Sequence, residues 1–262
     1  MASPLRTTGR HLRRLSLVVY FALVVGGLLW GGCFFLNRPQ TEPNRILDYF
    51  ALILRGIADY DDVFEQFPPP CFVDDAGRPL FSWRFRVLTL LTSSKLDFYT
   101  NERWDGPHNA EWAKFAPLCY CFLSRMDTPE ARNTNVMAIC GPDTAFDDKK
   151  MLRIAELPTD TILIVEVRDS GVHWMECGDL DTRNMPQAIG KRGGIAGSVA
   201  DEFCVGFADG QVWLMRSDVP FDLLSRFFTI SGSRDADRDE RLTPYMLRTR
   251  RHRDFPVRQQ GD

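Results

Sequence analysis

"FCVGFADGQVWLM", residues 203–215, reads as two β-strands folded back on each other. Asp209-Gly210 suits a two-residue hairpin turn, where positive φ favours glycine. That turn places Phe207 opposite Val212 and Val205 opposite Leu214, so one face of the hairpin is wholly apolar. Upstream, "TDTILIVEVRD" (159–169) is rich in β-branched residues and predicts a further strand, with "GVHWMEC" (171–177) as its hairpin partner. "NTNVMAICG" (133–141) predicts another strand, while "KRGGIAGS" (191–198) and "SVADEF" read as loop. Downstream, Asp218 can cap a short helix, "VPFDLLSRFF", whose Leu223, Leu224, Phe227 and Phe228 need a surface to cover.

Such a sheet needs a helix laid across it. Ile46, Phe50, Ile53, Ile57, Tyr60 and Phe64 recur at steps of four and three, forming one apolar stripe, and Pro68-Pro69-Pro70 ends the run. Pro43 suits its first turn. "RPLFSWRFRVLTLL" (78–91) fits either element: Phe81, Trp83, Phe85 and Val87 alternate like a strand, whereas Ser82 can cap a helix carrying Phe85, Leu88 and Leu91.

The N-terminus implies a location. Residues 15–36 hold no charged side chain, and a 22-residue helix of about 33 Å crosses a bilayer core. Arg6, Arg10, Arg13 and Arg14 lie on one side, so the positive-inside rule keeps residues 1–14 in the cytoplasm. The expectation is a single-pass protein of the inner (cytoplasmic) membrane, contacting the lipid bilayer through residues 15–36. Its domain then lies in the periplasm or outside. The net charge of −3 hides a body of about −9 over 37–230, between a leader of +4 and a tail of +2. An acidic body argues against nucleic acid as a partner. Residues 231–262 mix both signs with little apolar content and read as a disordered, charged tail. "RTRRHR" (248–253) within it is a basic patch.

Candidate chemistry centres on "NERWDGPHN" (101–109). His108 beside Asp105 invites a general-base reading. Yet Asp105, Pro107 and Asn109 are equally the residues of a tight, self-bonded loop, and the fastener is the preferred reading. No GxSxG, HExxH, P-loop or dinucleotide fingerprint occurs. Paired aspartates at 61–62, 74–75 and 147–148 lack calcium-loop spacing, and "CYC" (119–121) lacks zinc spacing, so no metal or cofactor is expected. If 115–123 is a strand, Cys119 and Cys121 share a face. The six cysteines beyond the apolar segment can pair in fifteen ways. Mostly buried thiols with one disulfide is the expectation.

The order of short motifs points further. A helix ending in "FPPP", then "GRPLFSWRFRVLTLL", "ERWDGPHN", "CGPDTAF", "TDTILIVEV" and "FADGQVWLM" resembles the exported, pilin-like proteins abundant in planctomycetes, catalogued as domain of unknown function 1559. The likeness covers residues 43–230. It implies an α+β domain with one long amphipathic helix packed on an antiparallel sheet, and a helix over 82–91. Trp83, Trp104, Asp105, Pro107, His108, Asn109, Gly141, Pro142, Glu166, Asp209 and Gly210 are its motif positions, and a structural role is expected for them. The chain departs from the family's G-F-T-L-I-E leader, because Arg10 follows Gly9. It also departs where "GSVADEFCVG" replaces a histidine-glycine segment. The resemblance supplies no reaction. It implies a non-enzymatic envelope protein for assembly, adhesion or ligand binding, with itself or other envelope proteins as partners. The alternative is an exported hydrolase or solute-binding receptor with a pocket around Trp104 to Asn109, in which Glu166 or Asp209 stands within ~3 Å of His108.

Overall fold

The computed structural model describes residues 42–92, 98–122, 132–199 and 201–255. At its centre is a six-stranded sheet built from β3 (Val136–Cys140), β4 (Ile162–Glu166), β5 (Leu180–Asp181), β6 (Glu202–Phe207), β7 (Gln211–Arg216) and β8 (Met246–Arg251). The strand order is β5-β3-β4-β6-β7-β8. β5 runs parallel to β3, and every other pairing is antiparallel. A small ribbon pairs β1 (Cys71–Val73) with β2 (Pro79–Ser82). Helix α1 (Glu42–Phe64) packs against β6, β7 and β8 and against helix α2 (Trp83–Leu91). Ser82 caps α2, its hydroxyl accepting the Arg84 amide.

Both faces of the sheet are sealed. Val136, Ala138, Cys204, Val212 and Leu214 face the α1 side, in one core with Phe50, Ile53, Leu54 and Ile57. Met137, Ile139, Val205, Trp213 and Met215 face the opposite core, with Phe227, Phe228 and Leu242. The inner strands β3, β4, β6 and β7 are therefore apolar on both sides of the pleat, as in sheets covered by two layers, whereas edge strand β8 is exposed. Leu163 and Ile164 both turn to the α1 side because β4 shifts register against β6 between Ile162 and Ile164.

The expected fold class requires correction on three counts. Among the described residues no helix is long and apolar enough to cross a membrane. The stretch 15–36 itself lies outside the described residues. The helix over 42–64 is no single-stripe amphipathic element. A second row, Leu47, Ala51, Leu54 and Ala58, is buried beside the expected one, and over 44–64 only Arg45, Asp62 and Val63 are exposed. The sheet is mixed, because β5 reaches β3 by a crossover.

Several local expectations also change. In the hairpin, Val205 faces Trp213 and Gly206 faces Val212, one residue off the two-residue reading. The connection has three residues, with the Gly210 amide donating to the Phe207 carbonyl and Gly210 at φ +81. The reason is tertiary: the Ala208 and Asp209 amides continue the ladder to the carbonyls of Thr161 and Thr159, so the Ala208 amide is not free for the Gln211 pairing that a two-residue loop would need. A one-residue slip exchanges the faces of a strand. Residues 171–177 form no hairpin partner, since His173 makes one isolated bridge, to Asn133. Around Cys119 and Cys121 the chain turns instead of extending, as the Tyr120 and Cys121 amides both reach the Pro117 carbonyl. Asp218 pairs with Arg216, and the helix at Phe221–Leu224 begins without a side-chain cap.

The expected disordered tail is ordered through residue 255. It forms α-helical turns at Ile230–Arg234 and Arg238–Leu242, then edge strand β8. Its anchor is Arg238, which is 4% exposed. The guanidinium lies over the rings of Phe207 and Trp213 and bonds Asp209 at 3.1 Å. Counting charges misses this, because one buried arginine and Leu242 tie down an otherwise solvated segment.

Candidate functional site

The loop singled out from sequence divides into two parts. Asn109 is fully buried. Its Oδ1 accepts the Tyr99 amide at 3.0 Å, and its Nδ2 faces the carbonyls of Tyr99, Glu102 and Arg103 at 2.9, 3.0 and 3.1 Å. One side chain thus replaces several backbone partners that the loop lacks internally. Asp105 and His108 do something else. Asp105 forms a two-pronged pair with Arg103 in solvent, at 2.8 and 3.0 Å. His108 is exposed, stacks on Tyr99, and contacts Glu102 through Nδ1 at 2.7 Å. The His108 side chain holds the Glu102 carboxyl below its ordinary range. Asp105 therefore does not orient His108; Glu102 is its partner. Pro107 is exposed at the turn.

Trp104 ties the loop to the body. Its amide donates to the Leu80 carbonyl, and its ring stacks on His173 with centroids 4.3 Å apart. His173 Nδ1 accepts the Met175 amide, so Nε2 carries the proton shared with the Ala113 carbonyl at 3.0 Å. Burial pushes this imidazole down to about 4, which keeps it neutral at physiological pH.

Neither residue expected near His108 is there. Glu166 is 1% exposed, and it accepts the Ser198 amide and hydroxyl and the Cys204 amide, pinning the 190s loop to β6. Burial raises its carboxyl against these donors. Asp209 accepts the Gln211 amide within the hairpin turn and holds Arg238. An added Cβ at Gly210 would fall 2.4 Å from the Phe255 ring, so this position excludes any side chain. Gly141, at φ +118, sits with its α-carbon facing the Thr182 hydroxyl, beside exposed Pro142.

The densest polar centre was absent from the sequence reading. Arg84, fully buried, spends all five N–H donors. Nε donates to the Val136 carbonyl at 2.9 Å, and Nη1 to Ser82 Oγ at 3.1 Å and the Glu176 carbonyl at 3.5 Å. Nη2 donates to the Gly178 carbonyl at 2.8 Å and to Asp179 Oδ1 at 2.5 Å. Asp179 also accepts the Ala138 amide at 2.7 Å and the indole of fully buried Trp83. Burial pushes the Asp179 carboxyl up to about 6, while Arg84 pulls the other way. One signal existed, an arginine embedded in "FSWRFRVL". Only the helix phase set by Ser82 decides that Arg84 points inward and Arg86 does not. Nothing local marks Asp179 as its mate.

Cys177, two residues before Asp179, is bonded to Cys71 with Cα atoms 5.2 Å apart. Cys119, Cys121, Cys140 and Cys204 are buried free thiols. Burial raises all four, Cys119 to about 12, so little thiolate exists at neutral pH and none is poised as a nucleophile. A cleft of about 200 Å³ lies over this region, lined in part by Cys71, Cys140, Gly141, Asp148, Asp179 and Asp181. Arg84 and Arg183 neutralise two of its three aspartates. Among the described residues no group of three or more His, Cys, Asp or Glu is placed to hold a metal ion.

These arrangements fasten segments to one another: Asn109 closes a loop, Trp104 docks it, and Arg84 joins α2, β3 and the 176–179 loop. Comparison with known proteins finds no matching family model, no matching curated protein and no matching solved structure.

Proposed function

We propose that this protein works outside the cytoplasm as a non-catalytic binding or assembly domain, in the manner expected of the exported family its motifs resemble. The observation that carries the reading is the Cys71–Cys177 bond, which closes 106 residues of chain. Disulfides persist in oxidising compartments and are rare where thiols are kept reduced. The motif residues support the same reading, because Asn109, Glu166, Trp83 and Asp209 are engaged in holding segments together. His108, exposed like Asp105, has Glu102 as partner and, among the described residues, no nucleophile in contact.

The test is thiol trapping in intact cells that express the protein natively. Alkylation before and after denaturation should leave Cys71 and Cys177 unmodified throughout. Cys119, Cys121, Cys140 and Cys204 should react only once the fold is opened. Recovery of Cys71 and Cys177 as free thiols in the intact cell would overturn the export reading.

A further inference from the structure

The outer edge of β8 is where the acidic body turns basic. Five of its six residues are exposed, and among the described residues no strand pairs with that edge. Arg248, Arg250, Arg251 and Arg253 crowd the strand and its exit. Arg250 is neutralised by Asp48 of α1, and Arg253 lies beside Asp254. Arg248 instead reaches the neutral carbonyl of Asn44, and Arg251 the backbone carbonyl of Asp209. Two guanidinium groups thus sit at an open strand edge with neutral acceptors and, among the described residues, no carboxylate partner. Their register places Arg248 opposite Leu214, on the α1 face, and Arg251 opposite Gln211, so charge flanks the edge along its length. Beside it opens a groove of about 290 Å³ lined by Asn44, Leu47, Arg248, Thr249 and Arg250.

We propose that β8 is a docking edge for an extended acidic peptide segment of a partner protein, added as a seventh strand. The inference rests on the reading of this protein as a binding domain and names its surface. An open edge offers a ladder of main-chain donors and acceptors that fixes an extended chain, and side chains at alternate positions then select it. The selection here is for carboxylates, which accept two parallel N–H bonds from a guanidinium. The same arginines exclude a second copy of this chain, because edge-to-edge pairing would oppose like charges.

The full-length protein is titrated with a fluorescent ten-residue peptide alternating Glu and Thr, and with its Lys/Thr counterpart. Binding of the Glu peptide alone is expected, weakening with salt. N-methylation of alternate peptide amides should weaken it about tenfold or more, because the ladder is lost while the charge remains. Arg248→Glu with Arg251→Glu should do likewise at unchanged melting temperature; the N-methylated peptide tests the point without altering the protein. Equal binding of the methylated peptide, or no binding of the Glu peptide, overturns the proposal. So does a preference for vesicles containing anionic lipid over neutral vesicles that the Glu peptide does not reduce and that Arg248→Glu with Arg251→Glu abolishes. None of these results bears on export, which the thiol-trapping experiment decides separately.

Discussion

The loop around Asn109 and the socket around Arg84 each gather a dense set of hydrogen bonds, yet they stand in opposite relations to water. In the loop, the ion pair Arg103–Asp105 and the Glu102–His108 contact lie at the surface, where water would satisfy the same groups if they were broken. In the socket, Arg84 and Asp179 are 0% and 3% exposed, and breaking the pair strands a charge in apolar surroundings. Bond count alone would rank the two regions together. Burial separates them, because the cost of an unmade bond is the desolvation that nothing repays.

The sharpest way to break this contrast is Arg84→Ala. It leaves Asp179 buried and unpaired, and we expect a loss of about 3–5 kcal/mol in denaturant unfolding. The double variant Arg84→Met with Asp179→Leu should recover much of that loss. Failure to recover would show that the donors to the Val136 and Gly178 carbonyls matter more than the charge. Next in size is the bond that closes the same loop. Cys71→Ser with Cys177→Ser should cost about 2–5 kcal/mol, read as a lower midpoint under non-reducing conditions.

The loop supplies the smaller effects. Asn109→Ala removes a buried side chain that serves several backbone groups, so a loss of about 2–3 kcal/mol is expected. His108→Ala should stay within about 0.5 kcal/mol of the parent. A large effect at His108 with a small one at Asn109 would invert the reading of this region. Between these two in size is a pH effect through His173. Its folded pKa of about 4 lies below the ordinary 6.5, so the unfolded chain binds the proton more readily. The stability it contributes is full above pH 6.5 and is lost as pH falls from there toward 4. Partial exposure limits it to about 1–2 kcal/mol. Asp179 works in the opposite sense, since its pKa is raised, so the two are separated by comparing parent and His173→Phe profiles. A His173→Phe variant with the parent's acid slope would remove His173 from the account.

How much of this was legible differs from one element to the next. The strands at 136–140, 162–166 and 203–215 are apolar and β-branched, and they appear where the pattern puts them. Their register does not follow from the pattern. The 208–210 turn is lengthened by bonds from Ala208 and Asp209 to the residues leading into β4. The row Leu47, Ala51, Leu54 and Ala58 has the same spacing as the stripe beside it. It could not be read as buried until the packing of α1 against both α2 and the sheet was known. Asn109 could be read as a fastener from residue type alone, since asparagine beside a Gly-Pro turn has few other uses. Arg84 could not, because a buried arginine looks the same in sequence as an exposed one.

By itself the sequence marked the core strands at 136–140, 162–166 and 203–215 and the helical run over 42–64, because those preferences are set within a few residues by side-chain shape and backbone freedom. Only the tertiary structure decided which of two equivalent faces is sealed, that Arg84 meets Asp179, that Cys71 meets Cys177, and that the arginine-rich C-terminal segment becomes a sheet edge. Those outcomes depend on excluding water between residues far apart in the chain. The free energy of that exclusion belongs to the pair and is carried by neither partner's local sequence.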